Sequence, residues 1–187
     1  MKIPTTAIAV AVTLLLSCAG AQAAEYRRLD LAASHIRFTS RQMGVPVDGA
    51  FRKFDASLAF DPDAPAAARG QLHIDLSSVD TGLREIDEEV VGTQWFDVRR
   101  HPEARFEMRQ IQSQGAGRFQ VSGVLSIKGA SQPLVVNTVL KTSGRQAVME
   151  GSFVMKRLDF GIGGGVWGDI RVVANEVTVQ FHLVLEP

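Results

Sequence analysis

Apolar and polar residues alternate along most of this chain. In the clearest run, residues 177–185, every odd position is valine, phenylalanine or leucine, and most even positions are polar. The same period of two recurs over residues 34–39, 72–77 and 119–127. Because successive side chains of a β-strand point to opposite faces, each run predicts a strand with one apolar face and one polar face. The alternation is typical of antiparallel sheets and predicts an all-β fold.

Turn-forming residues separate the alternating runs. These turns are rich in glycine, proline, aspartate and serine, and they lie at 61–65, 115–117, 128–131 and 143–145. About eight strands at such close spacing predict a meandering barrel or a sandwich. The pattern leaves both architectures open, although glycine at the inward positions Gly123 and Gly151 hints at spare volume inside. No predicted helix is long enough for a crossover between parallel strands.

Residues 77–108 interrupt the alternation. The period there changes to about 3.6 residues, which predicts a short helical insertion. An Asp-Thr pair at 80–81 can cap the start of this helix, and Gly92 can end it. The apolar residues at helical spacing are Leu83, Ile86 and Val90, and the aromatic residues that follow them are Trp95, Phe96 and Phe106. A short helix with large apolar anchors inside a β-protein predicts a plug or a lid.

The first 23 residues predict a secretory signal peptide and therefore a periplasmic location. Lys2 gives a positive start, residues 7–16 form an apolar segment, and Ala21-Gln22-Ala23 is a typical cleavage site. The apolar segment is too short to span a bilayer, which needs about 20 such residues. Ser17-Cys18 also resembles a lipoprotein processing site, so anchoring through a lipid on Cys18 is a less favoured alternative.

The remaining residues, 24–187, have the length of one domain. They contain no cysteine, so no disulfide can stabilise them. The whole chain carries 20 Lys and Arg residues against 20 Asp and Glu residues. This balance argues against a nucleic-acid partner and against a polybasic membrane anchor. No transmembrane segment is predicted in the mature chain, and the sequence leaves a homodimer open.

No motif for catalysis, nucleotide binding or metal binding stands out. The glycine-rich stretch 161–168 precedes strand-like residues rather than the helix that a phosphate-binding loop needs, and it predicts a loop or flap near a barrel mouth. The four histidines form no close ligand pair, and no nucleophile elbow occurs. The acidic residues between 85 and 89 fit the solvated face of the predicted helix. We therefore expect a protein that is not an enzyme and holds no metal.

Several short motifs follow one another in a characteristic order. They are Leu29-Asp30 with Ser34, Ile36 and Phe38; Gly49 with Phe51 and Phe54; Ser78-Val79-Asp80-Thr81-Gly82 with Asp87, Trp95-Phe96-Asp97, His101-Pro102 and Phe106; the strand and turn 121–129; and residues 156–162. In this order they resemble the YceI-like family of bacterial periplasmic proteins. Departures from the family pattern are Glu88-Glu89 in place of a frequent His-Leu pair, Ser126 in place of threonine, and Trp95 in place of an acidic or apolar residue.

The resemblance implies an extended, lipocalin-like, antiparallel β-barrel of eight strands whose apolar interior holds an isoprenoid or similar amphipathic lipid. It also implies an association with isoprenoid or quinone binding and with envelope stress. The expected protein is thus a periplasmic carrier with no cofactor other than a bound isoprenoid or quinone-like lipid. Two alternatives stay open, namely a packed barrel that binds a partner through its rim loops and a hydrolase that uses the acidic helix.

A tunnel for a lipid tail needs apolar walls rather than polar motifs, because each buried methylene contributes about 0.8 kcal/mol without a directional partner. Arg41, Arg157 and Asp159 are candidates to meet a polar head group. The residues expected to form the tunnel and its mouth are Phe38, Phe54, Leu72, Trp95, Phe96, Phe106, Phe119, Val121, Leu125, Phe153, Phe160 and Trp167.

Overall fold

A computed structural model describes residues 25–187 of the protein, so the predicted signal peptide and Cys18 lie outside the described residues. The described chain forms ten strands and one α-helix. The strands are β1 (Arg28–Gln42), β2 (Val45–Phe51), β3 (Phe54–Ala59), β4 (Arg69–Asp75), β5 (Val79–Asp80), β6 (Glu103–Gly115), β7 (Arg118–Ile127), β8 (Ala130–Ser143), β9 (Gln146–Lys156) and β10 (Glu176–Glu186), and the helix is α1 (Arg84–Val90). Within residues 25–187, no helix has the length and apolar character needed to cross a membrane.

The ten strands form one antiparallel sheet in the order β3-β4-β6-β7-β8-β9-β10-β1-β2-β5. Only Arg52 and Lys53 separate β2 from β3, and only a 3-10 turn at Leu76–Ser78 separates β4 from β5. Because β2 pairs with β5 and β3 pairs with β4, these four elements behave as two interrupted strands. Counted in this way the sheet has eight strands and curls into the predicted lipocalin-like barrel. Backbone hydrogen bonds of 2.8 and 3.0 Å between Tyr26, just before β1, and Phe60, just after β3, join these two strands at one end.

The predicted inward faces are confirmed in β7 and β10. Along β7 the odd-numbered residues from Phe119 to Ile127 are buried, and the residues between them are half-buried. Along β10 the odd-numbered residues from Val177 to Leu185 face the interior. The period of two therefore places a continuous apolar surface inside the barrel, as expected for a sheet with one buried face.

The inward glycines leave no spare volume, which corrects the expectation for Gly123 and Gly151. A Cβ atom at Gly123 would overlap the ring of Phe106, and one at Gly151 would overlap the ring of Phe181. Each pair lies on adjacent strands, so the missing side chain makes room for a phenylalanine ring against the neighbouring backbone. The glycines thus permit close aromatic packing, and any free interior space must arise elsewhere.

The helix is shorter than expected and is not capped as predicted. Its N-cap residue is Leu83, which contributes no capping side chain. Asp80 is the last residue of β5 and accepts a hydrogen bond from a backbone N–H of the following turn. Thr81 donates both its backbone N–H and its hydroxyl to the Asp87 carboxylate, at 2.8 and 2.7 Å. The helix ends two residues before Gly92, so the Asp-Thr pair fixes the approach to α1 rather than its first turn.

The two ends of the barrel are built differently. One end, called the helix-capped end below, is covered by α1 and by the 3-10 turns at Arg157–Phe160 and Gly165–Gly168, and it includes the β1–β2 turn. That turn, Met43-Gly44, has positive φ at both residues, as tight hairpins require. The opposite end, called the closed end, carries the β6–β7 and β8–β9 turns and the segment after β3.

Candidate functional site

An apolar cavity of about 420 Å³ lies inside the helix-capped end of the barrel. Its walls combine strands from around the barrel with the inner side of α1. This volume falls within the range of about 300–1,000 Å³ that is typical of sites for small molecules. The lining is almost entirely apolar, and its polar members are Ser40, Gln42, Thr81, Glu85, Glu89 and Arg157.

A second apolar cavity, of about 170 Å³, continues toward the closed end. Five residues line both cavities, and we call this set the constriction: Ile36, Ile74, Leu125, Phe153 and Val179. Because the two cavities share these walls, they follow one another along the interior. The arrangement has the shape of an elongated apolar site that narrows in the middle.

Nine of the twelve residues expected at the tunnel line these cavities. Phe38, Trp95, Phe96 and Trp167 line the larger cavity, Leu72, Phe106 and Val121 line the smaller one, and Leu125 and Phe153 line both. The structure thus brings these nine together, and their contact with a ligand stays a prediction.

The other three expected residues line neither cavity. Phe119 packs at the closed end, where its ring meets the ring of Phe60 edge-on with 5.4 Å between the centroids. Phe160 is buried in the 3-10 turn beside the larger cavity, and Phe54 is half-buried at the start of β3. An aromatic residue on an apolar face can serve either as packing or as a wall, and the alternating pattern does not distinguish the two roles.

A pair of tryptophans lies at the mouth of the larger cavity. The ring centroids of Trp95 and Trp167 are 5.7 Å apart, and Trp167 Nε1 donates a 2.8 Å hydrogen bond to Glu89 Oε1 on α1. The Trp95 indole N–H is buried and finds no acceptor among residues 25–187. The glycine-rich stretch 161–168 is therefore placed at the barrel mouth, where it bridges to the helix.

Arg157 organises this end from inside the protein. Its side chain is buried, with 1% of its surface exposed, and its five N–H groups donate to five backbone carbonyl oxygens. These acceptors belong to Ile162, Gly163, Trp167, Val173 and Ala174, at 2.6 to 3.0 Å. Burial lowers the pKa of the guanidinium, and its Cζ atom lies 5.7 Å from the Trp95 ring centroid.

This arrangement corrects the expectation that Arg157 meets a head group. All of its donors are already engaged with the loop that follows β9, so it shapes the wall of the cavity. Asp159 and Arg41 line neither cavity, and Arg41 donates instead to the Gly44 carbonyl oxygen.

Further polar contacts fasten the glycine-rich loop to the segment after α1. The Gln94 carbonyl oxygen accepts from the backbone N–H groups of Gly163 and Gly164, each at 2.9 Å. Lys128 Nζ donates to the carbonyl oxygens of Thr93 and Gly161, at 3.0 and 2.8 Å. Burial lowers the pKa of Lys128, while the charge of Asp97 acts in the opposite direction. No sequence motif singled out these contacts, because they join segments that are distant along the chain.

The acidic residues of α1 divide between two roles. Glu88 pairs with Arg84 on the solvated side, as expected, and Asp87 binds Thr81. Glu85 and Glu89, one helical turn apart, line the mouth of the larger cavity. Glu85, Glu88 and Glu89 are exposed, as predicted for a solvated face, whereas Asp87 is half-buried. Across the described chain, no group of three or more His, Cys, Asp or Glu residues could hold a metal ion.

The sequence interpretation missed the smaller branched residues that line the site. Ile36, Ile74 and Val179 at the constriction share strand faces with the expected residues or their neighbours, at a spacing of two. Ile86 and Val90 close the larger cavity from α1. The alternation itself carries the signal for these positions, because isoleucine and valine on an inward face can line a cavity as well as aromatic residues can.

The curled antiparallel sheet and its apolar interior define a lipocalin-like barrel. Residues 28–185 match the YceI-like domain, and the chain belongs to this family. A UPF0312 protein from Azotobacter vinelandii is 31% identical over 157 residues, which cover 79% of this chain and 81% of that protein.

Two solved structures share this fold. BcnA from Burkholderia cenocepacia has a TM-score of 0.81 and 38% identity, and the match covers 83% of this chain and 98% of that one. A polyisoprenoid binding domain from Saccharophagus degradans, implicated in plant cell wall breakdown, has a TM-score of 0.68 and 20% identity, and the match covers 88% and 99%. At 20% identity this second likeness concerns the fold.

Proposed function

We propose that the protein is a non-catalytic periplasmic carrier that holds the apolar tail of an amphipathic lipid inside its barrel. The observation that carries this proposal is the cavity of about 420 Å³ with an almost wholly apolar lining. An apolar tail gains free energy there in proportion to the surface that it removes from water, at about 25 cal/mol per Å². The smaller cavity beyond the constriction would extend the same site for a longer tail.

The distribution of polar groups supports an amphipathic ligand with one polar end. Ser40, Gln42, Glu85 and Glu89 all line the larger cavity, whereas the smaller cavity is lined almost only by apolar atoms. A tail directed toward the closed end would leave its head group near these polar side chains. An interior that holds such a cavity also argues against the fully packed barrel considered above.

An isoprenoid or quinone-type lipid is the ligand class that we favour. The solved polyisoprenoid binding domain from Saccharophagus degradans shares the fold, and the family resemblance points the same way. The periplasmic location rests on the predicted signal peptide of residues 1–23, and a role in envelope stress rests on the resemblance alone.

Native mass spectrometry of the protein purified from the periplasm tests the proposal. The protein should carry, or take up from detergent, one polyprenol or one quinone with an isoprenoid tail. Leu125→Trp should abolish uptake, because a larger side chain at the constriction fills space that a tail needs. Val124→Trp is the matched control, since the neighbouring residue of β7 points away from the interior and lines neither cavity.

The possible results distinguish a lipid bound inside the barrel from no lipid and from a lipid bound outside it. A bound mass in the wild type and in Val124→Trp, but not in Leu125→Trp, supports the carrier. A bare wild-type protein that accepts neither probe would refute it. Equal uptake by both variants would show that the lipid binds outside the barrel.

A further inference from the structure

Large apolar side chains are exposed around the helix-capped end. Met43, Val45, Leu83, Val166 and Ile170 have 73, 63, 55, 76 and 58% of their surface exposed. We call these five residues the apolar rim. The two largest exposures of any large apolar residue in the described chain, at Val166 and Met43, belong to it.

The apolar rim adjoins the mouth of the larger cavity. Met43 directly follows the lining residue Gln42, and Val166 directly precedes the lining residue Trp167. The Met43 backbone N–H donates to the Val172 carbonyl oxygen at 2.7 Å, which ties the β1–β2 turn to the segment that carries Ile170. The apolar rim therefore borders the mouth of the larger cavity and faces the solvent.

Leu83 completes this surface on the helix side. It lies between the lining residues Thr81 and Glu85, and the bond from Trp167 to Glu89 links α1 to the loop that carries Val166. Exposed apolar side chains cost free energy in water, and a cluster of them beside a pocket marks a contact surface.

We propose that the apolar rim inserts into the surface of a lipid bilayer, from which the cavity takes up and releases its ligand. The inference rests on the proposed function and adds the partner that supplies the lipid. The position of the rim at the cavity mouth points to this partner, because a rim inserted in a bilayer would bring the mouth against the membrane and shorten the path of a tail through water. Charges beside the rim are mixed, since Arg84 pairs with Glu88 and Arg171 pairs with Asp169, and this mixture suits a zwitterionic membrane surface rather than a strongly anionic one.

Flotation with vesicles of phosphatidylethanolamine and phosphatidylcholine tests the proposal. The protein is purified from the periplasm, and its mass is checked for the absence of acylation at Cys18. The triple variant Met43→Ser, Val45→Ser, Val166→Ser should bind the vesicles at least about tenfold more weakly, since three exposed apolar side chains are lost. The matched control is Val135→Ser, Val139→Ser, Val154→Ser, which removes three exposed valines from the strands of the barrel wall and should bind like the wild type.

A second measurement separates this inference from the proposed function. Loading with polyprenol from detergent should be equal in the wild type and both triple variants, while transfer of polyprenol from the vesicles should slow only in the rim variant. Vesicle binding that is equal in all three proteins would overturn the inference, even if all three load from detergent. Conversion of a dimer to a monomer in the rim variant, with unchanged vesicle binding, would also overturn it and assign the rim to a second copy. Failure to load in detergent would refute the proposed function instead.

Discussion

Side chains occupy the interior of the barrel differently at its two ends. At the closed end, Tyr26, Phe60 and Phe119 pack closely, Ala147 beside them has no exposed surface, and the cavity that reaches toward this end has only about 170 Å³. At the helix-capped end, large side chains also line the interior, but they surround a cavity of about 420 Å³. Filled cores maximise apolar contacts, so an open interior must be held by something other than packing.

Polar contacts hold the helix-capped end open. Arg157 donates hydrogen bonds to five carbonyl oxygens of the loop after β9. Lys128 donates to one carbonyl oxygen of the same loop and to one of the segment after α1. Both side chains act on backbone groups, so they fix the walls without occupying the space between them. The closed end is thus stabilised by apolar packing and the helix-capped end by buried polar contacts, and substitutions can distinguish the two.

The largest loss of stability is expected for Arg157→Met. The substitution leaves five buried or part-buried carbonyl oxygens without their donor, and it should lower the free energy of unfolding by about 5 kcal/mol. Lipid uptake should also fall, because the loop at the mouth loses its anchor. Urea unfolding measures the change, and Arg37→Met on the exposed face of β1 is the control, with an effect within about 0.5 kcal/mol. A similar small loss in both variants would contradict the role given to Arg157.

A paired substitution of phenylalanines compares the ends directly. Phe119→Ala opens a hole in the packed core of the closed end, so it should lower the free energy of unfolding by about 3–4 kcal/mol. Lipid uptake should stay intact, because Phe119 lines neither cavity. Phe153→Ala at the constriction should cost less, since that ring already borders free volume. It should also admit a bulkier tail. Equal destabilisation by both substitutions would remove the distinction between the ends.

The contact between Trp167 and Glu89 should control exchange rather than stability. Trp167→Phe removes the 2.8 Å hydrogen bond across the mouth and should lower the free energy of unfolding by about 1 kcal/mol. Release of a bound quinone should become several-fold faster, which stopped-flow fluorescence can follow through Trp95. Glu89→Gln keeps an acceptor at the same place and should release ligand at nearly the wild-type rate. A wild-type release rate in Trp167→Phe would show that this contact does not restrain the mouth.

The smallest expected effect is a dependence of stability on pH, and it arises from His35 on the outer face of the barrel. His35 stacks on His182 with 4.8 Å between the ring centroids, and burial, Arg37 and His182 lower its pKa, while Glu150 acts in the opposite direction. The folded protein therefore disfavours protonation of His35 more than the unfolded chain does. The stabilisation by neutral His35 is present above about pH 6.5 and is lost as the pH falls below that value. The Tm should fall by about 1–3 °C between pH 7.5 and 5.5, and His35→Gln should reduce this fall. An unchanged slope in the variant would contradict the role of His35.

The alternation predicted the strands and their inward faces well, because burial imposes it locally on every strand, whereas the choice of a barrel over a sandwich came from the family resemblance. Leu125 and Val121 were placed correctly for this reason. Phe119 has the same alternation, yet it packs at the closed end, because its role depends on how the segments before β1 and after β3 meet at Tyr26 and Phe60. The mouth was less accessible to prediction, since the contacts of Arg157, Lys128 and Gln94 join distant segments and have no local pattern. Gly123 and Gly151 were misleading, because a missing side chain can mean close packing as well as space.

The chain's two tryptophans, Trp95 and Trp167, both line the larger cavity, so intrinsic fluorescence reports on it directly. The decisive measurement is a titration of the wild-type protein with a quinone that carries an isoprenoid tail, because quinones quench nearby indole rings. A ligand held in this cavity predicts strong quenching that saturates at one equivalent. Weak quenching that rises linearly without saturation, as for free tryptophan in solution, would contradict the assignment of the helix-capped end as the binding site.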